Sequence, residues 1–311
     1  MNTKAIETIK KLGPLIGLII LFIIISTLNS SFLEISNLKN LLRQVSINAI
    51  IAFGMTFVIL TGGIDLSVGS ILALSSAIMA NFIVGGMNPE IAIVVSAIFG
   101  LILGSINGIV ITFGRVAPFI ATLATMTIYR GATLVFTNGN PISGLTTDSA
   151  FHAFGQGNLL EIPIPAITMF LSFLILWFVL SKTSFGRKTY AVGGSEKVSF
   201  IAGIKINRIK IVAYALTGML CAIAGAIITS RLNSAQPTAG TGYELDAIAA
   251  VVLGGTSLSG GKGHIVGTLI GALIIGTLNN GLNILDVSSF YQQVVKGIVI
   301  LLAVLVDRKK A

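Results

Sequence analysis

Residues 181–210, SKTSFGRKTYAVGGSEKVSFIAGIKINRIK, form the one long polar break in an otherwise apolar chain. The stretch carries Lys182, Arg187, Lys188, Lys197, Lys205, Arg208 and Lys210 against a single acid, Glu196. Gly193 and Gly194 are expected to break the chain, with Ser195 capping a short helix and Glu196 in its first turn, where the helix dipole favours an anion. Val198, Ile201 and Ile204 recur three apart and give that helix one apolar edge, and Gly203 stands near its expected stop. A helix of about two turns is marginal alone in water, so this one is expected to be held against something. In a membrane protein without a catalytic motif, that something is a soluble partner on the cytoplasmic side.

The flanking sequence establishes the membrane. Of 311 residues, 54% are hydrophobic and 10% charged, with mean hydropathy +0.96, whereas soluble domains carry about 25% charged residues. The chain is therefore an all-α integral membrane protein, and a soluble fold is excluded. Residues 1–13 are short and basic, but the apolar run 15–28 has no small-residue exit, so it is read as a retained first span rather than a cleaved leader. Apolar windows of about 20 residues fall near 12–32, 45–61, 66–86, 90–112, 118–136, 162–181, 211–230, 244–258, 264–285 and 290–306, about ten spans. With the N-terminus inside, the inner segments hold Lys4, Lys10, Lys11, Arg115, the seven bases of the central loop, Lys262, Arg308, Lys309 and Lys310, and the outer ones only Lys39, Arg43 and Arg231. That asymmetry places both termini in the cytoplasm. It also accounts for the formal charge of +9 as topology against the lipid bilayer and its headgroups, not as a nucleic-acid surface. The single cysteine, Cys221, lies in an apolar run, so there is no disulfide framework and the residue reads as packing.

An internal repeat is legible. Gly104-Ser105-Ile106-Asn107 in the fourth span matches Gly276-Thr277-Leu278-Asn279 in the ninth, and Gly108 and Gly281 follow. Upstream of each, a carboxylate enters an apolar span: Asp65 in one half, Glu244 and Asp246 in the other. An offset of five spans gives the copies opposite orientation, so spans 2–5 and 7–10 are expected to be inverted repeats with a pathway at their interface. The competing explanation is that small residues recur in any helical bundle because they permit close packing.

Candidate functional residues sit where the apolar runs fail. Residues 61–69, TGGIDLSVG, interrupt the second and third spans: Gly62 and Gly63 end one helix, and Asp65 or Ser67 is placed to cap the next. A carboxylate there either marks a broken helix beside a permeation path or caps a helix at the cytoplasmic interface. Residues 236–263 are the most glycine-dense part of the chain, with Glu244 and Asp246 opening a short apolar run. Within them, 255–263 fails as a phosphate-binding loop, because Thr256 stands where the first glycine is needed and Gly263 where a Ser or Thr must follow Lys262. ATP, if used, is bound by another subunit, and no cofactor is expected here. Arg130 and Lys296, in outer halves of spans, either bond a polar solute, pair with a carboxylate or reach the interface. Asn48, Asn107, Asn279 and Asn280 are solute ligands or interhelical bonds, and Phe119, Tyr129 and Phe136 are sugar-stacking rings or packing. No metal cluster, nucleophile elbow or other catalytic set is present, since His152 and His264 stand alone, so no enzyme is expected. The outer loop 138–161 is long enough to meet an external partner, or is a plain connection.

Three stretches together carry a resemblance: ILTGGIDLSVGS at 59–70, Ala191-Val192-Gly193-Gly194 running to Ala202-Gly203-Ile204, and QPTAGTGYELDAIAAVVLGGT at 236–256. The chain resembles the monosaccharide permease subunits of bacterial ABC importers, most nearly those for ribose, from Leu15 to its C-terminus. The resemblance implies one transmembrane permease domain over 1–311, working as a homodimer in the bacterial inner membrane. It also implies a periplasmic sugar-binding protein docked outside and a cytoplasmic ATP-binding subunit docked against a coupling helix within 182–210. The coupling set would be Gly193, Gly194, Ser195, Glu196, Val198, Ile201 and Gly203, and the candidate substrate pathway Asp65, Ser67, Asn107, Arg130, Glu244, Asp246 and Asn279. Ser195 stands where the family has Asn, and Lys197 and Val198 replace its small pair. The alternative is an ion-gradient-coupled secondary sugar transporter with Asp65 or Asp246 as its coupling site.

Overall fold

The computed structural model describes residues 3–145 and 149–308. Lys309 and Lys310, counted above as inner bases, lie outside the described residues, as do residues 146–148 of the outer loop. Helix α1 (Thr3–Leu28) passes through a 3-10 turn (Ser30–Leu33) into α2 (Ile35–Leu60), followed by α3 (Val68–Val84), α4 (Pro89–Phe113) and α5 (Pro118–Thr137). The outer connection folds as strand β1 (Ile142–Ser143), helix α6 (Ser149–Gln156) and the strands β2 (Asn158–Leu159) and β3 (Ile162–Pro163), ahead of α7 (Ile164–Lys182). Next come α8 (Ser184–Gly194), α9 (Glu196–Ile201), α10 (Ile206–Leu232), β4 (Ser234–Ala235), α11 (Tyr243–Leu253), α12 (Ile265–Ile284) and α13 (Ser289–Arg308).

Local chemistry explains the helix ends. Proline occupies the first position of α4 and of α5, where its missing N–H costs nothing. The Asn88 side-chain oxygen accepts from the backbone N–H of Glu90 at 2.9 Å and caps α4. Asn138 and Asn233 close α5 and α10 in the left-handed conformation, at φ 50° and 48°.

The fold is helical, and among the described residues six helices are long and apolar enough to cross a membrane: α2, α4, α5, α7, α10 and α12. Each of the ten apolar windows falls on a helix. The eighth is the exception in length: α11 has 11 residues, about 16 Å of helix, against a hydrocarbon core of about 30 Å. Alone it cannot cross.

Helix α2 is the axis, buried almost continuously from Val45 to Leu60 and packed on α7, α10, α11 and α12. Three side-chain bonds join it to α12: a reciprocal pair between the Asn37 and Asn280 amides at 3.1 and 2.9 Å, and a Thr56–Thr268 hydroxyl contact at 2.8 Å. Asn280 is thus an interhelical tie. Helix α10 packs just as closely on α4, along a seam where Gly100, Gly104 and Gly108 meet Gly218, Tyr214 and Ile211. A Cβ on Gly104 would stand 2.2 Å from the Tyr214 carbonyl oxygen, so the glycine spacing is a backbone-to-backbone seam. Apolar side chains such as Ile98, Ile102 and Ile109 of α4 and Ile175 and Phe178 of α7 face outward, as a lipid-facing surface requires.

Candidate functional site

The helices are interrupted at three places, of which the first touches the second, and the third touches the end of α2 and the loop that follows α11. The first follows α2. Thr61 closes the helix, Gly62 turns at φ 80°, and the chain runs non-helically to α3. Asp65 in this segment is fully buried, so it is not a cap exposed at the cytoplasmic interface. Its Oδ1 accepts from the Ser67 N–H at 2.9 Å, the Ser67 hydroxyl at 2.6 Å and the Asn107 amide at 3.5 Å, while Oδ2 is buried without a partner. The bond turns back on Ser67 and leaves the first N–H groups of α3 without a side-chain cap. Asn107 also donates to the Ser67 hydroxyl at 2.7 Å, and the Tyr129 hydroxyl donates to the Leu103 carbonyl at 3.1 Å. The Ile64 carbonyl accepts from Tyr214 and Thr122, each at 3.2 Å. Asp65, Ser67 and Asn107, three of the candidate pathway residues, are brought together here. Tyr214 and Thr122 were not among the candidates, because nothing local to them differs from ordinary helix packing. Tyr129 is engaged through its hydroxyl rather than presented as a free stacking face.

The second place is the turn between β4 and α11. Gly240 and Gly242 adopt φ 73° and 87°, which a side chain would resist. Gly240 lies against Gly69 at the start of α3, where a Cβ would stand 2.1 Å from the Gly240 carbonyl oxygen. The two interruptions, one from each expected repeat, therefore touch backbone to backbone. Arg130, reaching from α5, donates through Nη1 to the Pro237 carbonyl at 2.7 Å and the Ala239 carbonyl at 2.9 Å. Lys296, reaching from α13, pairs with buried Asp246 at 3.1 Å. Neither cation runs outward along its helix: Arg130 meets backbone and Lys296 meets a carboxylate. Glu244 accepts from the Gly242 N–H at 3.2 Å. Asn279 is apart from both clusters in its bonding, with its Oδ1 buried and unpartnered, as is that of Asn48.

The third place is the central segment. Gly193 and Gly194 do not break the chain: they are the last residues of α8, and the break comes at Ser195. The expected short helix is α9, of 6 residues, and it is preceded by a helix of 11 residues, α8, that was not expected, because the apolar and small residues of 184–194 have a surface to pack on. The Ser195 hydroxyl accepts from the Val198 N–H at 3.3 Å and caps α9, and Glu196 pairs with Lys210 at 2.5 Å. Gly203 turns at φ 76°. Val198, Phe200 and Ile201 are 65%, 75% and 77% exposed, an apolar face with nothing of this chain upon it. Phe200 was missed because it falls outside the three-residue periodicity. Behind that face, Gly193 abuts the end of α2: a Cβ there would stand 1.7 Å from the Leu60 carbonyl oxygen and 2.5 Å from the Gly261 nitrogen. Gly261 donates to that same Leu60 carbonyl at 3.0 Å, and the Tyr190 hydroxyl donates to the Gly263 carbonyl at 2.7 Å. The central segment thus touches the residue before the Asp65 interruption and the loop that follows α11.

In the connection between α5 and α7, α6 is fastened to α10 by the Gln156 amide, which donates to the Arg231 carbonyl at 2.7 Å, and β1 pairs antiparallel with β4. The β2–β3 hairpin turns through Leu160 and Glu161 with positive φ, and Glu161 pairs with Lys39 of α2. Lys39, by hydrogen bond and charge, holds the Glu161 carboxyl below its ordinary range.

A family model described as branched-chain amino acid transport system, permease component, matches residues 37–304. The chain is 69% identical to the ribose import permease protein RbsC of Bacillus subtilis, covering 97% of this chain and 94% of that one. It is 55% identical to the ribose import permease protein of Escherichia coli K12, over 95% and 93%. To the D-allose transport system permease protein of the same strain it is 41% identical, over 96% and 91%. No solved structure matches the chain.

Proposed function

The chain belongs to the family of branched-chain amino acid transport system permease components, and from that premise we propose that it is the membrane permease of an ATP-driven importer carrying ribose inward. The observation that carries the cargo is the gradient of likeness. Identity is 69% and 55% to two ribose import permeases but 41% to a D-allose permease and 35% to a xylose permease. Expression in cells lacking their own ribose permease tests it. Ribose uptake should return and exceed allose or xylose uptake at least tenfold, and equal uptake of all three sugars would overturn the assignment of cargo.

The partners follow from the division of labour. No nucleotide-binding loop is present in the sequence, so ATP is held by a cytoplasmic subunit, which docks on the exposed face of α9 formed by Val198, Phe200 and Ile201. The Gly193–Leu60–Gly261 junction supports that docking as a source of movement, because it joins α8 by backbone contact to the end of α2, just before the first interruption, and to the loop that follows α11. A periplasmic sugar-binding protein delivers ribose to the outer side, and two copies of this chain form the permease in the inner membrane. In the same reading all ten apolar helices belong to the membrane domain, with both termini cytoplasmic. The inverted repeat is supported by pairings that mirror one another: α4 on α10 and α12 on α2, α3 on α10 and α11 on α2, α3 with α5 and α11 with α13. Asp65, Ser67 and Asn107 on one side, and Glu244 and Asp246 on the other, would border the sugar's route when the two interruptions separate. Uptake into vesicles loaded with ATP should survive a protonophore, whereas collapse of uptake would favour a gradient-driven carrier.

A further inference from the structure

The turn at 236–242 and the first turn of α11 are held unusually. Two cations reach them from opposite flanks, Arg130 from α5 and Lys296 from α13, and each is partly exposed rather than sealed in the core. Arg130 bonds two backbone carbonyls, at Pro237 and Ala239, that no helix or sheet claims. Lys296 holds Asp246, which is 3% exposed. The 11-residue helix α11 is bounded by glycines at positive φ: Gly240 and Gly242 before it, and Gly255, at φ 86°, after it. Among the described residues α13 rests mainly on α11, so a displacement of one carries the other. What the ties maintain is the contact of Gly240 with Gly69, which brings the two interruptions together; Ser70, the next residue of α3, is 1% exposed.

We propose that residues 236–246 are a movable gate across the route and that Arg130 and Lys296 are positioning residues that clasp it shut. This assignment rests on the reading of the chain as a transport permease. It differs from the sequence expectation for Arg130, since the guanidinium is spent on the gate's own carbonyls and does not await a sugar. The clasp is reversible in kind. Each tie is a charge-assisted bond between elements far apart in sequence, which a shift of α5 or α13 relative to α11 breaks, with Tyr243 and Ala239 leaving the core they pack against as the segment moves.

Thiol labelling tests the clasp without sugar, ATP or partner. Cys221→Ser removes the native thiol, and Ser70→Cys places a reporter at a buried position next to Gly69. In membranes opened so that both faces are reached, a small charged methanethiosulfonate should label the reporter thiol slowly in the otherwise native chain. Arg130→Met should speed labelling at least tenfold. The double neutral variant Asp246→Asn with Lys296→Met should do the same while burying no unpaired charge, which keeps the test valid where a single substitution misfolds. Lys296→Arg, which preserves the pair, should label at the native rate. Labelling within twofold of native in the double variant, or acceleration by Lys296→Arg equal to that of the neutral variants, overturns the proposal. Because the readout needs no transport, its failure leaves the ribose assignment standing, and a failure of ribose uptake leaves the labelling result to be judged alone.

Discussion

Replacement of Gly193 by alanine should uncouple the central segment from the transmembrane helices while leaving the protein inserted. The added methyl would stand 1.7 Å from the Leu60 carbonyl oxygen and 2.5 Å from the Gly261 nitrogen. Neither atom is the end of a flexible side chain, so relief requires the end of α2 or the 255–263 loop to withdraw by roughly 1.5–2 Å to reach ordinary contact. Withdrawal breaks the bond from Gly261 to Leu60 now made at 3.0 Å, worth about 1 kcal/mol net. Forced displacement in a packed region adds about 1–3 kcal/mol. The docked arrangement is therefore disfavoured by about 2–4 kcal/mol, and at about 1.4 kcal/mol per factor of ten its population falls at least tenfold. The neighbouring Gly194 supplies the control: a Cβ there meets nothing within 4 Å. In vesicles with equal amounts of inserted protein, initial ATP-dependent ribose uptake should fall at least tenfold in Gly193→Ala and stay within twofold of native in Gly194→Ala. Native uptake in the first variant, or equal damage in both, would refute the transmission argument.

Other substitutions probe separate links. Phe200→Asp, on a residue 75% exposed, should abolish association with the ATP-binding subunit without changing thermal stability in detergent, because the folded chain alone loses no contact; retained co-purification would count against α9 as the docking face. Gly104→Ala inserts a methyl 2.2 Å from the Tyr214 carbonyl oxygen, whereas Gly131→Ala meets nothing within 4 Å. The first should lower thermal stability in detergent by an amount equivalent to about 1–3 kcal/mol and the second should leave it unchanged, so equal midpoints would contradict the seam. The Lys39–Glu161 tie has a definite pH sense. Its carboxyl titrates below the ordinary value, so the anchoring is complete above about pH 5 and is lost as pH falls through the depressed value. A spin label at Leu160→Cys should gain mobility only below the ordinary glutamate range, and a transition at or above that range would disprove the tie.

Local pattern alone was enough to determine much of this protein. Helical membrane character follows from apolar runs of about twenty residues, which need no knowledge of neighbours. The Ser195 cap and the Gly203 stop are likewise properties of a few adjacent residues, and the structure has both. The interruptions at 61–67 and 236–242 are visible as glycines and carboxylates in apolar sequence. Tertiary structure alone decided what those residues meet. Asp65 is a buried acceptor for Ser67 and Asn107, not an interfacial cap, because α4 and α10 close over it. Arg130 and Lys296 have three possible ends by sequence, and their partners lie 107 and 50 residues away along the chain. Gly193 reads locally as a chain break, yet it is a helical residue kept small by the end of a helix more than 100 positions earlier. The physical reason is one of range: hydropathy, capping and backbone preference act over a few residues and can be read from order alone. Which cation reaches which carbonyl depends on how whole helices pack, and that is settled by the summed contacts of the entire bundle.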